Sequence, residues 1–192
     1  EIAELRKAGH AIDAVHAQVP QLLQAGRTEA EVAHELDKLI LREHSVIDFV
    51  IVGSGPNGAN PHHSFSDRVL AEGEPVVVDI GGTLPSGYHS DCTRTYVVGG
   101  DISTAPQDFQ DAYAVLADAQ AAARAAAHPG STAADIDAIT RQAISAAGWG
   151  DYFVHRTGHG IGLSTHEEPF IMEGNDLALE EGMAFSIEPG IY

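Results

Sequence analysis

Residues 70–81 read LAEGEPVVVDIG, and residues 179–190 read LEEGMAFSIEPG. Both stretches contain a leucine, a glutamate two positions later, a glycine directly after it, and an acid that a second glycine follows two positions on. In each stretch the acid ends a run of apolar residues, which is typical of the end of a β-strand. The match predicts two related segments in which the same strand ends at a carboxylate, Asp79 in one and Glu188 in the other.

The regions before these stretches also match, at an offset of 104 residues (130 − 26). Thr28 and Thr132 are each followed three positions later by an acid, which is the pattern of a capping box at the start of a helix. Other residues in register are Gly26 with Gly130, Ile40 with Ile144, Phe49 with Phe153 and His62 with His166. We infer a duplicated helix-helix-strand unit, with halves at about residues 1–100 and 101–192, whose equivalent acids and histidines face one central cleft.

The spacing of apolar residues predicts a chain of mixed helices and strands. Helices are expected at residues 2–23, from 28 to about 40, from 106 to about 123 and from 132 to about 144. Short strands are expected at residues 49–52, 76–80, 93–98, 152–155 and 184–187. The pattern is that of an α+β fold.

Composition excludes several classes of function. The chain has 28 acidic residues against 10 Lys and Arg, a net charge of −18, which argues against binding to nucleic acid or to an anionic membrane surface. No apolar run reaches the length of a membrane span. Cys92 is the single cysteine, so an internal disulfide is excluded and a reducing, cytoplasmic location is expected.

Two aspartates in strand-like runs are the first candidate site residues. Asp79 ends the run of residues 76–80, and Asp91 follows twelve residues later (91 − 79) at the head of the next strand. A hairpin through Gly87 would set the two carboxylates side by side, where they repel unless a cation lies between them. The alternative is that one aspartate pairs with Arg94 and the other caps a turn.

Residues 155–162, HRTGHGIG, form the second candidate segment. Glycines on both sides of His159 allow the backbone to bring an imidazole close to a ligand or ion. Alone, His159 or Glu188 is better explained as an ordinary hydrogen-bonded or solvated residue. Together with Asp79 and Asp91 they are a set of oxygen and imidazole ligands suited to Mn, Co, Fe or Zn at a site that activates water.

In this order the motifs resemble those of the metallopeptidases with the pita-bread fold, which include Xaa-Pro peptidases and methionine aminopeptidases. The matching motifs are DxG at Asp79, SDxTRT at Asp91, HRTGHGIGL at His159, THEEP at His166 and IEPG at Glu188. The resemblance covers essentially the whole chain. It implies an α+β pita-bread fold, with two pseudo-symmetric halves around a central antiparallel sheet.

The resemblance also implies residue roles. Asp79 is expected to chelate one divalent ion, Asp91 to bridge two, and His159 with Glu188 to hold the other, while Glu188 shuttles the proton of the bridging water. His62 matches the family's substrate-binding histidine, and His166 matches the one that contacts the scissile carbonyl and stabilises its oxyanion. His155, followed by Arg156, is similar to the branch that cleaves before proline.

The chain departs from the family at both ends. The family uses a further bridging glutamate after IEPG, whereas this chain stops at Tyr192, and the small N-terminal domain of prolyl peptidases is also lacking. We expect the chain as written to bind the second ion weakly and to hydrolyse peptides slowly or not at all. A homodimer is one of the expected assemblies of the complete protein.

Several alternatives also stay open. The implied activity is removal of the residue before proline from a peptide, or cleavage of an Xaa-Pro dipeptide. The other interpretations are a methionine aminopeptidase, a creatinase-like hydrolase and a non-catalytic module that binds peptides or partners. His63 and His89 either line the site or have a structural role. The remaining histidines are expected to be solvated on helices or at their ends; they are His10, His16, His34, His44 and His128.

Overall fold

A computed structural model describes residues 1–192 and divides them into two compact units, Glu1–Gln110 and Asp111–Tyr192. The helices are α1 (Ile2–His16), α2 (Val19–Leu22), α3 (Glu29–Ile40), α4 (Gln107–Ala126) and α5 (Ala133–Ala146). The strands are β1 (Val46–Ser54), β2 (Pro75–Thr83), β3 (His89–Val97), β4 (Gly158–Gly160) and β5 (Glu167–Ile171). None of the helices combines the length and the apolar character that crossing a bilayer requires.

The first unit is an antiparallel sheet in the order β1-β2-β3 with helices packed on one face. Alternate residues of β2, namely Val76, Val78 and Ile80, are fully buried in one core with Leu36 and Ile40 of α3. Because side chains alternate along a strand, Asp79 and Gly81 belong to the opposite face. The core therefore fixes which face of the sheet carries the carboxylates.

The second unit places α4 and α5 beside the two-stranded antiparallel sheet β4-β5. Ile171 of β5 packs in a buried cluster with Ala123 of α4 and with Ala133 and Ile136 of α5. A second cluster joins Ala119, Ile144 and Phe153. These contacts hold the glycine-rich strand β4 against the helices through its neighbour β5.

The starts of α3 and α5 have equivalent backbone hydrogen bonds. The amide of Gly26 donates to the carbonyl of Leu70, and the amide of Gly130 donates to that of Leu179. Both glycines have positive φ, 93° and 96°, a conformation that a side chain would disfavour. Thr28 and Thr132 both form complete capping boxes, as predicted.

Two predicted strands differ from the structure. Residues 152–155 are not a strand, because the chain turns through the 3₁₀ segment Gly150–Tyr152, where the amide of Phe153 bonds to Gly150. Residues 184–187 form no strand of their own. They nevertheless lie along β4, with amide-to-carbonyl bonds from Ser186 to His159 and from Ile161 to Ala184.

Helix α1 ends earlier than predicted, and two histidines are buried rather than solvated. The expected helix at residues 2–23 stops at His16 and resumes as the short α2. His16 lies 2.9 Å from both the Tyr96 hydroxyl and the Cys92 carbonyl, and His44 lies 2.8 Å from the Ser90 hydroxyl. Burial lowers the pKa of His16. Both rings use partners on the sheet that sequence spacing does not reveal.

Candidate metal centre

Asp79 and Asp91 share one face of the β2-β3 ladder. Asp79 is paired with Thr93 and Asp91 with Gly81, so the two carboxylates occupy diagonal positions rather than directly opposed ones. Both side chains are half-buried. Arg94 belongs to the other face of β3, is exposed, and donates to the Thr93 carbonyl rather than to either aspartate. The alternative in which Arg94 neutralises one of them is therefore wrong.

The close approach of Asp91 to β2 depends on the glycine opposite it. A Cβ built on Gly81 would lie 2.5 Å from a ring carbon of Phe49 and 2.5 Å from the carbonyl oxygen of Ser90. The sheet leaves no room for a side chain there. On Asp79, one carboxylate oxygen accepts a 2.7 Å hydrogen bond from the Thr93 hydroxyl, which fixes its orientation.

His159 and Glu188 form the second pair of candidate metal ligands. His159 is almost fully buried in β4, and its Nε2 lies 3.0 Å from Oε1 of Glu188. The Ser186 hydroxyl donates to the same Glu188 oxygen at 2.9 Å. The amide of Glu188 donates to the carbonyl of Thr157, so backbone pairing aligns the two segments that carry this pair.

The tautomer of His159 bears on metal binding. Its Nδ1 lies 2.9 Å from the Gly160 carbonyl, which only accepts, so Nδ1 carries a proton. In the neutral ring, Nε2 then has no proton and presents a lone pair to the Glu188 oxygen. Two hydrogen-bond acceptors 3.0 Å apart repel each other unless a proton or a cation lies between them. The pair therefore fits a divalent ion, for which a backbone carbonyl on Nδ1 is the usual orienting partner.

The charge of Glu188 also suits a metal ligand or a base. Burial acts to raise the pKa of this carboxyl, but it is outweighed by the charge and hydrogen bond of His159 when that ring is protonated on both nitrogens, together with the hydrogen bond from Ser186. The net effect is a pKa below the ordinary value. Glu188 is therefore a carboxylate at neutral pH, able to bind a cation or to accept a proton.

The other predicted histidines of the second unit flank this pair. The ring of His166 lies 4.2 Å from that of His159, edge to face. His155 precedes His159 by four residues in the chain. Its Nδ1 donates to the Arg156 carbonyl at 2.6 Å, and its Nε2 lies 3.1 Å from the Tyr192 hydroxyl. His166 is exposed and His155 half-buried.

His62 is exposed on the loop between β1 and β2, where it makes no hydrogen bond to Asp79 or Asp91 within the first unit. Its neighbour His63 is held instead by Glu29, a fully buried acid at the start of α3. Glu29 also accepts hydrogen bonds from Ser54, Asn57 and Ser66. The loop that carries His62 is thus tied at several points to one carboxylate.

A second buried carboxylate supports β4. Asp137 of α5 accepts hydrogen bonds from the amide and the hydroxyl of Thr157, at 3.1 and 2.7 Å, and forms an ion pair with Arg141. Arg141 in turn donates to the carbonyl of His155. Asp137 therefore fixes the segment that leads into His159.

Neither Glu29 nor Asp137 can be distinguished from an exposed acid by the local sequence alone. Glu29 looks like an ordinary acid in the first turn of a helix, and Asp137 with Arg141 looks like an exposed i,i+4 pair. The one available signal for Asp137 was its place directly after Ile136 on the buried stripe of α5.

Comparison with known proteins identifies the family. The family model for metallopeptidase family M24 matches residues 3–192. The curated probable dipeptidase PepE of Mycobacterium tuberculosis is 60% identical over 193 residues, covering all of this chain and 50% of that protein. The chain thus spans about half the length of the curated relatives it matches.

Solved structures agree in fold. The crystal structure of dipeptidase PepE from Mycobacterium ulcerans superposes with a TM-score of 0.95 at 57% identity, covering 100% of this chain and 51% of that one. The prolidase from Pyrococcus furiosus gives a TM-score of 0.93 at 38% identity, covering 100% of this chain and 56% of the other. The predicted α+β pita-bread fold is confirmed. The chain belongs to metallopeptidase family M24.

Proposed function

We propose that this chain carries most of the site of a metal-dependent peptidase that hydrolyses the bond before proline in short peptides. The observation that carries the proposal is the His159–Glu188 pair, in which an imidazole Nε2 and a carboxylate oxygen face each other at 3.0 Å. Relatives named Xaa-Pro dipeptidase and prolidase support the choice of substrate.

Four side chains are proposed to hold two divalent ions such as Mn, Co, Zn or Fe: Asp79, Asp91, His159 and Glu188. Bound there, the ions would lower the pKa of a shared water and polarise the scissile carbonyl. Asp79 is oriented by Thr93, and His159 by the Gly160 carbonyl.

The remaining residues act directly on the peptide and on protons. Glu188 is the proposed base, because its lowered pKa keeps it deprotonated at neutral pH. His166 donates a hydrogen bond to the carbonyl oxygen as negative charge develops on it. His62 binds the peptide, and His155, fixed by Tyr192, lines the same site.

Metal titration of the complete protein tests this proposal. We expect two equivalents of Mn to bind, Ala-Pro to be hydrolysed and a Met-Ala peptide to be hydrolysed far more slowly. Asp79→Asn should reduce both metal binding and turnover by more than tenfold. Asp101→Asn, which alters an exposed cap of a 3₁₀ turn, is the matched control and should change neither.

The outcomes separate the alternatives. Faster cleavage of Met-Ala than of Ala-Pro would replace the proposal with a methionine aminopeptidase. Hydrolysis that survives complete removal of metal would indicate creatinase-like chemistry. Peptide binding with no turnover in the metal-loaded complete protein would indicate a binding module.

A further inference from the structure

Ser186 is a half-buried serine that contacts both members of the His159–Glu188 pair. Its amide donates to the carbonyl of His159 at 2.8 Å, as residues paired across an antiparallel ladder do. The return bond has a different acceptor. The amide of His159 donates at 3.0 Å to the hydroxyl oxygen of Ser186. A side chain therefore completes the pairing of the two segments at this point.

The proton of the Ser186 hydroxyl is directed at Glu188. The hydroxyl oxygen lies 2.9 Å from Oε1 of Glu188 and 3.3 Å from the carbonyl oxygen of His159. A serine hydroxyl has one proton to donate, and both the shorter distance and the negative charge favour the carboxylate as its acceptor. Ser186 thus accepts a hydrogen bond from the backbone of one candidate ligand and donates one to the side chain of the other.

The two carboxylate oxygens of Glu188 have different surroundings. Oε1 accepts the Ser186 proton and lies 3.0 Å from Nε2 of His159, whereas Oε2 makes no hydrogen bond or ion pair. The last torsion of a glutamate side chain is broad and roughly two-fold, so an outside contact has to fix which oxygen takes which place. The Ser186 hydroxyl is such a contact. It keeps Oε1 beside the imidazole and leaves Oε2 accessible.

We propose that Ser186 is a positioning residue of the candidate metal centre and that it gives the two oxygens of Glu188 separate tasks. This inference rests on the proposed function, in which Glu188 both holds an ion and acts as the base. Oε1 is the oxygen that binds the cation together with His159, and Oε2 accepts a proton. The proton leaves the attacking water as the water oxygen bonds to the scissile carbonyl carbon, and it passes to the leaving nitrogen when the C–N bond breaks.

Two substitutions at Ser186 in the complete protein test this role. Ser186→Ala removes the donor, and Ser186→Thr keeps it on a residue that suits an extended segment. Ser186→Ala should weaken Mn binding, measured by calorimetry, by about tenfold to a hundredfold, as is typical when a group that orients a metal ligand is removed. With Ala-Pro as substrate, kcat should fall and KM should stay unchanged, because Ser186 acts through Glu188 and not on the peptide. Ser186→Thr should restore both Mn affinity and kcat.

Ser145→Ala is the matched control, since it removes an exposed hydroxyl from α5 in the same unit. It should change neither Mn affinity nor kcat. A double-mutant cycle then separates positioning of Glu188 from a general structural role. If Ser186 acts through the charge of Glu188, Ser186→Ala should cause little further loss of Mn affinity in a Glu188→Gln protein.

Three results would overturn the inference: an equal loss of Mn affinity in both backgrounds, wild-type affinity in Ser186→Ala, or a rise in KM with kcat unchanged. The proposed function fails in a different way. Mn affinity that depends on Ser186 through Glu188, in a protein that does not hydrolyse Ala-Pro, would sink the proposed function and leave the positioning of Glu188 in place. Mn-dependent hydrolysis of Ala-Pro at the wild-type rate by Ser186→Ala would sink only the role of Ser186.

Discussion

The Glu29 carboxylate lies 2.9 Å from Nε2 of His63, although 34 residues separate them in the chain. The glutamate is fully buried at the first position of α3, and each of its other partners is a donor. Ser54 ends β1, and Asn57 and Ser66 belong to the connection that follows it. One side chain thus joins a helix, a strand end and the loop that presents His62.

Replacing Glu29 by Gln should loosen this loop selectively. The amide substitutes a donor for one acceptor oxygen, so donors of Ser54 or Ser66 would face an N–H group in a buried site. We expect a loss of roughly 3 kcal/mol in the free energy of unfolding. Hydrogen exchange should accelerate most at residues 54–66. The control, Glu35→Gln, removes only an exposed pair with Lys38 and should change stability by less than about 1 kcal/mol.

Glu29 should also make the stability of the first unit depend on acid pH. Burial alone acts to raise the pKa of Glu29, but hydrogen bonds from Ser54, His63 and Ser66 together lower it from 4.5 to about 2. Because the folded pKa lies below the unfolded one, the stabilisation is complete above about pH 5 and is lost as the pH falls from about 4.5 towards 2.

The difference between wild type and Glu29→Gln isolates this contribution from that of other carboxylates. Denaturant midpoints measured at pH 6, 4 and 3 should converge as the pH falls. A constant difference between the two proteins over this range would contradict the assignment of a low pKa to Glu29.

The fold could be predicted wherever the residues that form a sequence pattern are close together in the chain. Both capping boxes close within four residues, and the strands at residues 49–52, 76–80 and 93–98 lie within β1, β2 and β3 or extend one residue past them. The failure at residues 152–155 has a local cause. An apolar Tyr-Phe-Val run resembles a strand, but the chain has to turn after Gly148 and Phe153 is buried against Ala119 and Ile144.

The candidate site was predictable to the extent that its residues are chemically out of place. Asp79 stands out because it interrupts an apolar strand, and His159 because glycines surround it. His16 and His44 do not stand out, since their partners are 80 and 46 residues away. Buried acids such as Asp137 have the same local pattern as exposed ones, and only tertiary contacts distinguish them.

Asp137→Asn should weaken the support of β4. The substitution removes the negative charge that pairs with Arg141, so the guanidinium then faces only a neutral amide oxygen. We therefore expect a loss of about 3 kcal/mol in the free energy of unfolding. NMR signals of the His159 ring should shift and broaden as Thr157 loses its fixed partner. Asp135→Asn on the same helix changes only an exposed cap, so it should leave those signals in place.

Gly81 should tolerate no side chain, because it is the residue across the ladder from Asp91. An added methyl group would lie 2.5 Å from both the Phe49 ring and the Ser90 carbonyl, and one of these contacts is rigid backbone. We expect Gly81→Ala to lower stability by about 2 to 3 kcal/mol through strain in the sheet. Displacement of Asp91 should also weaken Mn binding.

Gly9→Ala is the matched control. Nothing lies within 4 Å of its added carbon, and alanine is a better helix former than glycine within α1. Gly9→Ala should raise stability by about 0.5 to 1 kcal/mol. A Gly81→Ala protein with wild-type stability and wild-type Mn affinity would contradict this prediction, because it would show that the position of Asp91 does not depend on the lack of a side chain at residue 81.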